Sequence, residues 1–406
     1  MGSFNLSSLP CMENLFEDTS VDVSVEVGDA AEVAEETTEA TEVATDVQED
    51  TAEASDTETT TELLFQHIDT LINRKMYLET YGYDRRFAML AAQDGINYIQ
   101  GGAPAVESVN DVSSANDSYT IAALEGVGDA LKSAWDWIKK VLGKIANWVS
   151  RFFRSVVTMF SSLENNIIRL KKLLSDSTWD TERAEKASGD VPEESKTISD
   201  AMDAAFNDNI SDSYTITSHT WEGAAIDLRN AFDKIGKKAL SSMNNSYAPT
   251  DTTVKNAAND HYSNTEDKDK VKKDRDAIKK IVDELKKVAD KKTSISNITQ
   301  NSVSEWLKTA AKICMSKTQL RNLGDTAARA VSTAKKQAEK FAVLKSDDGR
   351  GSMSSDKSKE FRNITTYLSA LQSFSAKFCG ALVKIANWLV KGSAKVLGSC
   401  YKKNKS

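Results

Sequence analysis

Leu131, Ile138, Ile145, Phe152 and Met159 recur every seven positions, and Trp135, Leu142, Val149, Val156, Leu163 and Leu170 form a second row offset by four. Two rows with that spacing lie along one side of an α-helix. Asn166 alone interrupts the first row. The pattern predicts a single helix of about 45 residues, roughly 65 Å long at the standard rise. A helix of that length cannot close a domain by itself, so its apolar stripe needs other helices to cover it.

The C-terminal end repeats the arrangement. Ile364, Leu371, Phe378 and Ile385 make one row, Phe361, Leu368, Leu382, Leu389 and Val396 another, and Ser375 is the gap. Lys-Ile-Ala-Asn-Trp occurs in both helices, at 144–148 and 384–388, an echo too short to establish duplication. Between the two, helices are predicted around Trp221–Leu240, Val271–Val288, Val303–Cys314 and Ala327–Leu344. Only Ser213-Tyr214-Thr215-Ile216-Thr217 has the alternation of a strand. Four prolines in the whole chain suit an all-α body, and the expected architecture is an elongated bundle of long amphipathic helices.

Charge divides the chain. Residues 1–125 hold 26 Asp and Glu against Arg74, Lys75, Arg85 and Arg86, a net of −22, while 126–406 hold 34 acids against 48 bases, a net of +14. The overall −8 describes neither part. Residues 12–62 are Glu/Asp/Thr/Ala/Val repeats that bury too little apolar area to offset chain entropy, and 1–62 are expected to be a disordered acidic leader. Two short helices are expected in 63–125, one carrying Leu63, Leu64, Ile68, Leu71 and Ile72, the other Phe87, Leu90, Ala91 and Ile96, before Gly101-Gly102-Ala103-Pro104 breaks the pattern. Residues 126–406 then form the basic helical bundle.

Several functional classes find no support in the residues. Cys11, Cys314, Cys379 and Cys400 are too scattered for a disulfide framework and read as buried thiols in a reducing compartment. The first 73 residues lack Lys and Arg, which removes a secretory n-region. Met1-Gly2 opens like a myristoylation signal, but Leu6 stands where Ser or Thr is wanted. No apolar run approaches a membrane span of about 20 residues. His67, His219 and His261 have no ligand-spaced neighbours, and Gly126-Val127-Gly128 does not complete a phosphate loop. We expect no catalytic centre, no metal, no cofactor and no small-molecule substrate.

Two features point toward function. Lys132, Lys139, Lys140, Lys144, Arg151, Arg154, Arg169, Lys171 and Lys172 flank the stripe of the long helix, with Trp148, Phe152, Phe153 and Phe160 in its second half. Such a face suits a solvated bundle helix, contact with nucleic-acid phosphates, or a membrane surface. The second feature is Ala123-Leu124-Glu125-Gly126, where net charge changes sign and expected disorder gives way to helix. A protease reading Ala-x-Glu before a small residue would cut there and detach the acidic arm. Ala105-Val106-Glu107, followed by Ser108, is a second candidate. An ordinary helix start with Asp129 in its first turn is the plain alternative.

The acidic leader, the Ala-Leu-Glu-Gly junction, and Leu131-Lys132-Ser133-Ala134-Trp135-Asp136-Trp137-Ile138-Lys139-Lys140 running into Trp148-Val149-Ser150-Arg151-Phe152-Phe153 together resemble the internal head proteins of large tailed bacteriophages, of giant-phage or T4-like myovirus type. The resemblance covers about residues 60–175 and is one of architecture more than of invariant residues. It implies a virion protein made in the host cytoplasm, assembled in the capsid interior beside other virion proteins, trimmed by the prohead protease and retained with packaged DNA. Ala123 departs from the Leu or Ile of the T4-like protease pattern and suits the Ala/Ser-x-Glu preference of giant-phage proteases. A membrane-active helical bundle with an acidic pro-segment and a cytoplasmic coiled-coil scaffold remain the alternatives.

Overall fold

A computed structural model describes residues 30–87, 89, 117–241, 268–347 and 355–404. They form an all-α bundle. Its long members are α1 (Ala30–Tyr81), α2 (Asp117–Ser175), α8 (Lys317–Asp347) and α9 (Ser355–Cys400). Between α2 and α8 come the shorter α3 (Thr181–Lys186), α4 (Ser195–Asn207), α5 (Trp221–Ser241), α6 (Lys268–Val288) and α7 (Ser302–Cys314).

The heptad rows become buried helix faces. From Ile138 to Leu170, the apolar residues of both rows in α2 are at most 2% exposed. Leu131 and Trp135 lie on the helix, but their side chains are outside the described residues. The interruptions of the rows are buried as well: Asn166 in α2 and Ser375 in α9 sit inside with their apolar neighbours. In α9 every residue from 367 to 376 is buried, so this helix runs through the middle of the bundle. It packs against α1, α2, α5, α6 and α7. Helix α8 lies on α2 and α5, and begins ten residues before the expected Ala327.

The acidic segment differs from expectation. Residues 30–62, expected to be disordered, are part of one 52-residue helix that continues through the predicted first short helix; residues 1–29 lie outside the described residues. Helix α1 packs along both α2 and α9. Phe65, Ile68, Leu71 and Leu78 join the same core as the body, and on the preceding turns Asp50, Ala54, Thr57 and Thr61 face inward. That face repeats every three or four residues in small and polar side chains, so no apolar stripe announces it. The threonine hydroxyls bond back to their own helix, Thr57 to the Glu53 carbonyl at 2.9 Å and Thr61 to the Thr57 carbonyl at 2.7 Å. They can therefore be buried without an unpaired donor. Of the second predicted short helix, only its first turn near Phe87 lies within the described residues.

The expected strand at 213–217 is also different. Ile210–Asp212 is a 3₁₀ turn, and the following segment is bent back and pinned by Asp274 of α6. The strands of the described residues lie elsewhere, as two short antiparallel pairs. β1 (Ser177–Trp179) pairs with β4 (Tyr401–Lys403), placing Thr178 opposite Lys402. β2 (Asp190–Pro192) pairs with β3 (Lys292–Ser294), placing Val191 opposite Thr293. The first clips the end of α2 to the end of α9.

Candidate nucleic-acid interface

The stripe of α2 faces inward and leaves its basic residues on the outside. Lys140, Lys144, Arg151, Arg154, Lys171 and Lys172 are exposed, while Lys139 and Arg169 are half-buried. The Lys132 side chain lies outside the described residues. From Lys139 to Lys172 the helix carries eight bases and one acid, Glu164, along about 50 Å of axis. Lys139 pairs with Asp136 at 2.5 Å, and the Lys140 ammonium sits 5.3 Å from the centroid of the exposed Trp137 ring. Glu164 is engaged by Lys317 at 2.5 Å, which ties α2 to α8. The outer face is thus a cationic strip whose attraction for phosphate is set by charge density.

The aromatic residues of the helix belong to the core. Trp148 stacks on Phe152 with centroids 4.4 Å apart, and Phe153 meets Phe152 edge-on at 5.3 Å. With Phe160, all four rings are at most 1% exposed. Among the described residues, no helix is long and apolar enough to cross a membrane.

Helix α1 covers one margin of the basic strip through charge. Arg151 places both Nε and Nη2 on Asp50 Oδ1, at 3.0 and 2.5 Å, and also reaches Glu53. The pKa of Arg151 is raised, chiefly by the hydrogen bond to Asp50 and, against some loss from burial, by Glu53. Eight residues along α1, Glu58 receives Arg275 of α6, whose Nε lies 3.0 Å from Glu58 Oε1. Half-buried Lys377 of α9 lies near the same carboxylate: burial lowers its pKa and the Glu58 charge opposes that. Asp50, Glu53, Glu58, Arg275 and Lys377 were not anticipated, because they act between segments distant in the chain, Glu58 and Arg275 lying 217 residues apart.

Ala123, Leu124, Glu125 and Gly126 lie inside α2, which starts at Asp117. The change from expected disorder to helix therefore does not fall at Glu125, and the junction is helical on both sides. Ala123 is 6% exposed and Val127 2%, whereas Glu125 points outward. Ala105 and Glu107 lie outside the described residues.

His219, Cys314 and Cys379 are occupied or enclosed. His219 Nδ1 is 2.8 Å from Asn207 Oδ1, and His261 lies outside the described residues. Burial pushes the Cys314 thiol up to about 12 and raises Cys379 further, while Cys11 is not among the described residues. Among the described residues, no group of three or more His, Cys, Asp or Glu is placed to hold a metal ion. No protein-family model, curated protein or solved structure matches the chain.

Proposed function

We propose that this chain is a structural protein of a tailed-phage virion, located in the capsid interior, made with an acidic propeptide ending at Glu125 and associated with packaged DNA once the prohead protease has removed it. The observation that carries this reading is the ion-paired seating of α1 on α2, Arg151 with Asp50 and Glu53. An acidic segment laid on a basic helix lowers the field that DNA would meet. Uncut, the chain carries a net −8; residues 126–406 carry +14. Removing the segment turns phosphate contact favourable through release of condensed counterions.

Cleavage at Glu125–Gly126 requires the first turns of α2 to open, since proteases act on exposed, extended chain. Gly126 forms the bond and Gly128 lies two residues beyond it. Each weakens a helix by about 1 kcal/mol relative to Ala, and helix ends open at low cost. The buried Trp148, Phe152, Phe153 and Phe160 favour this reading over a membrane-active bundle, which would need those rings at the surface.

A second reading, a coiled-coil scaffold that retains its acidic segment, is favoured by the burial of Phe65, Ile68, Leu71 and Leu78 at 5% exposure or less. The N-terminal residue of the protein isolated from its natural source separates the two. Gly126 at the start, in protein recovered from particles, supports the virion reading. An intact Met1 start rejects the cleavage and leaves the scaffold.

A further inference from the structure

The strip exposed on α2 is not the whole basic surface. Arg151 and Arg275 come from two different helices and each is paired with a carboxylate of α1, while the Glu58 charge also reaches Lys377 of a third helix. Asp50 and Glu58, the carboxylates that meet Arg151 and Arg275, are separated by eight residues, or about 12 Å along α1. That is the axial advance of three to four phosphates along one DNA strand, at 3.4 Å each. We infer that Arg151, Arg275 and Lys377 form a binding site for the phosphate backbone of duplex DNA, held in the uncut chain by Asp50, Glu53 and Glu58 in place of phosphates. The inference rests on the proposed capsid-interior reading and specifies where on the body the DNA would lie.

Two observations besides charge point to an exchangeable cover. First, α1 grips unevenly. Its inward face over residues 50–61 is Asp50, Ala54, Thr57 and Thr61, whereas the apolar anchors begin at Phe65. The stretch carrying the carboxylates contributes little apolar burial, so apart from the Trp148 indole bond to the Asp50 carbonyl its side chains hold mainly through ion pairs. Second, the α9 surface near it is polar. Thr51 Oγ1 lies 3.4 Å from the Ala376 carbonyl, and the same α9 stripe carries Ser369 and Gln372, both fully buried. Among the described residues, neither amide atom of Gln372 has a hydrogen-bond partner, and neither do Ser373 and Ser375 Oγ. Each such group is destabilising while sealed from water. Water reaching the α9 face beside Thr51 would satisfy such groups and so offset part of the cost of lifting residues 50–61.

Anisotropy titrations of a 30-base-pair duplex at two salt concentrations test this with full-length chains. The first variant carries Asp50→Asn, Glu53→Gln and Glu58→Gln. The second adds Arg151→Gln, Arg275→Gln and Lys377→Gln. Circular dichroism checks that both retain helix, and hydrogen exchange checks that residues 50–61 open in the first. The first variant should bind at least about tenfold tighter than the natural chain, with a log–log salt slope steeper by about 3, one unit per phosphate contact. The second should lose that gain. A gain that survives in the second variant overturns the site and leaves the capsid-interior reading standing, with DNA on the outer face of α2. An open 50–61 segment with no gain in affinity likewise overturns the site. Absence of DNA binding by every chain, together with a Met1 start in the natural protein, rejects that reading along with it.

Discussion

The indole N–H of Trp148 donates to the main-chain carbonyl of Asp50 at 2.8 Å, so the largest ring in the core of α2 is fastened to the backbone of the acidic helix. Trp148 is 1% exposed and stacked on Phe152; its donor has no water to turn to. Trp148→Phe keeps an aromatic ring and removes the donor. The expected cost is about 2–4 kcal/mol, combining a smaller ring in a packed core with the lost bond. Urea unfolding measures the loss, and faster hydrogen exchange around residues 50–54 locates it. Unchanged exchange there would mean that α1 is not held by this ring.

Ion pairs on α1 should differ in worth from those elsewhere. Side chains of the Arg275–Glu58 pair are 28% and 12% exposed, whereas those of Lys237–Asp233 on α5 are 74% and 51% exposed. Screening by water leaves the second with about 0.3–0.5 kcal/mol. The first, with two guanidinium nitrogens on Glu58 Oε1 and mostly enclosed, should couple by about 1–2 kcal/mol. Double-mutant cycles with glutamine or asparagine replacements measure both couplings. Equal couplings would show that α1 is not seated tightly enough to exclude solvent.

What was legible in the residues was apolar periodicity, and what was hidden was polar burial. Leu142, Val149, Val156 and Leu163 announce the inner face of α2 because hydrophobic spacing follows the helical turn directly. The rows of α9 were equally plain, and the gap at Ser375 is merely a polar residue within a helix enclosed on all sides. The part of α1 before Leu63 was missed because its turns over 50–61 present Asp50, Ala54, Thr57 and Thr61, whose satisfaction depends on local back-bonding and on an arginine 101 residues away from Asp50. The outward placement of the basic residues followed from the stripe. Their partial covering by α1 did not, because pairing between distant segments leaves no periodic trace. The charge reversal at Glu125 is real in the residues, yet no structural boundary coincides with it.

Asp274 explains why a strand-like segment is not a strand, and its removal should be costly. The residue is fully buried and accepts hydrogen bonds from Ser213 Oγ at 2.9 Å, Tyr214 N at 2.8 Å, Thr215 N at 3.0 Å and Thr215 Oγ1 at 2.6 Å. A carboxylate thus replaces the ladder partner that the two main-chain donors would otherwise need. Asp274→Ala leaves those donors, and the buried Ser213 and Thr215 hydroxyls, without their acceptor, at an expected cost of about 3–5 kcal/mol. Chemical denaturation measures the loss, and hydrogen exchange at 214–215 should rise far more than exchange in α8. A loss below about 1 kcal/mol would place water, not Asp274, as their partner.

Thiol chemistry offers a test of the core that is independent of charge. Cys314 and Cys379 are fully buried, with burial pushing the first thiol up to about 12 and the second higher still. At pH 8 neither supplies thiolate, the reactive form. Native protein treated with iodoacetamide should therefore stay unmodified at both residues, and guanidinium-unfolded protein should be modified at both. Peptide mass spectrometry distinguishes these sites from Cys11 and Cys400. Fast native labelling at Cys379 would show that the centre of α9 opens readily.

Two helical glycines should respond in opposite directions to the same change. A Cβ built on Gly143 of α2 meets nothing within 4 Å, whereas one built on Gly324 of α8 would lie 2.8 Å from both Cβ and Cγ of Phe153. Alanine favours a helix interior over glycine by about 1 kcal/mol. Gly143→Ala should realise much of that gain, raising stability by about 0.5–1 kcal/mol. At Gly324 the same propensity gain competes with a clash against a ring that is 1% exposed and wedged edge-on against Phe152 and Trp148. Phe153 can move only by disturbing that cluster, so Gly324→Ala should destabilise by about 1–3 kcal/mol, the usual cost of overpacking. Thermal unfolding of the two variants gives the signs directly. A stabilised Gly324→Ala would mean that α8 does not cross α2 at this point, and that the aromatic cluster is closed by some other element.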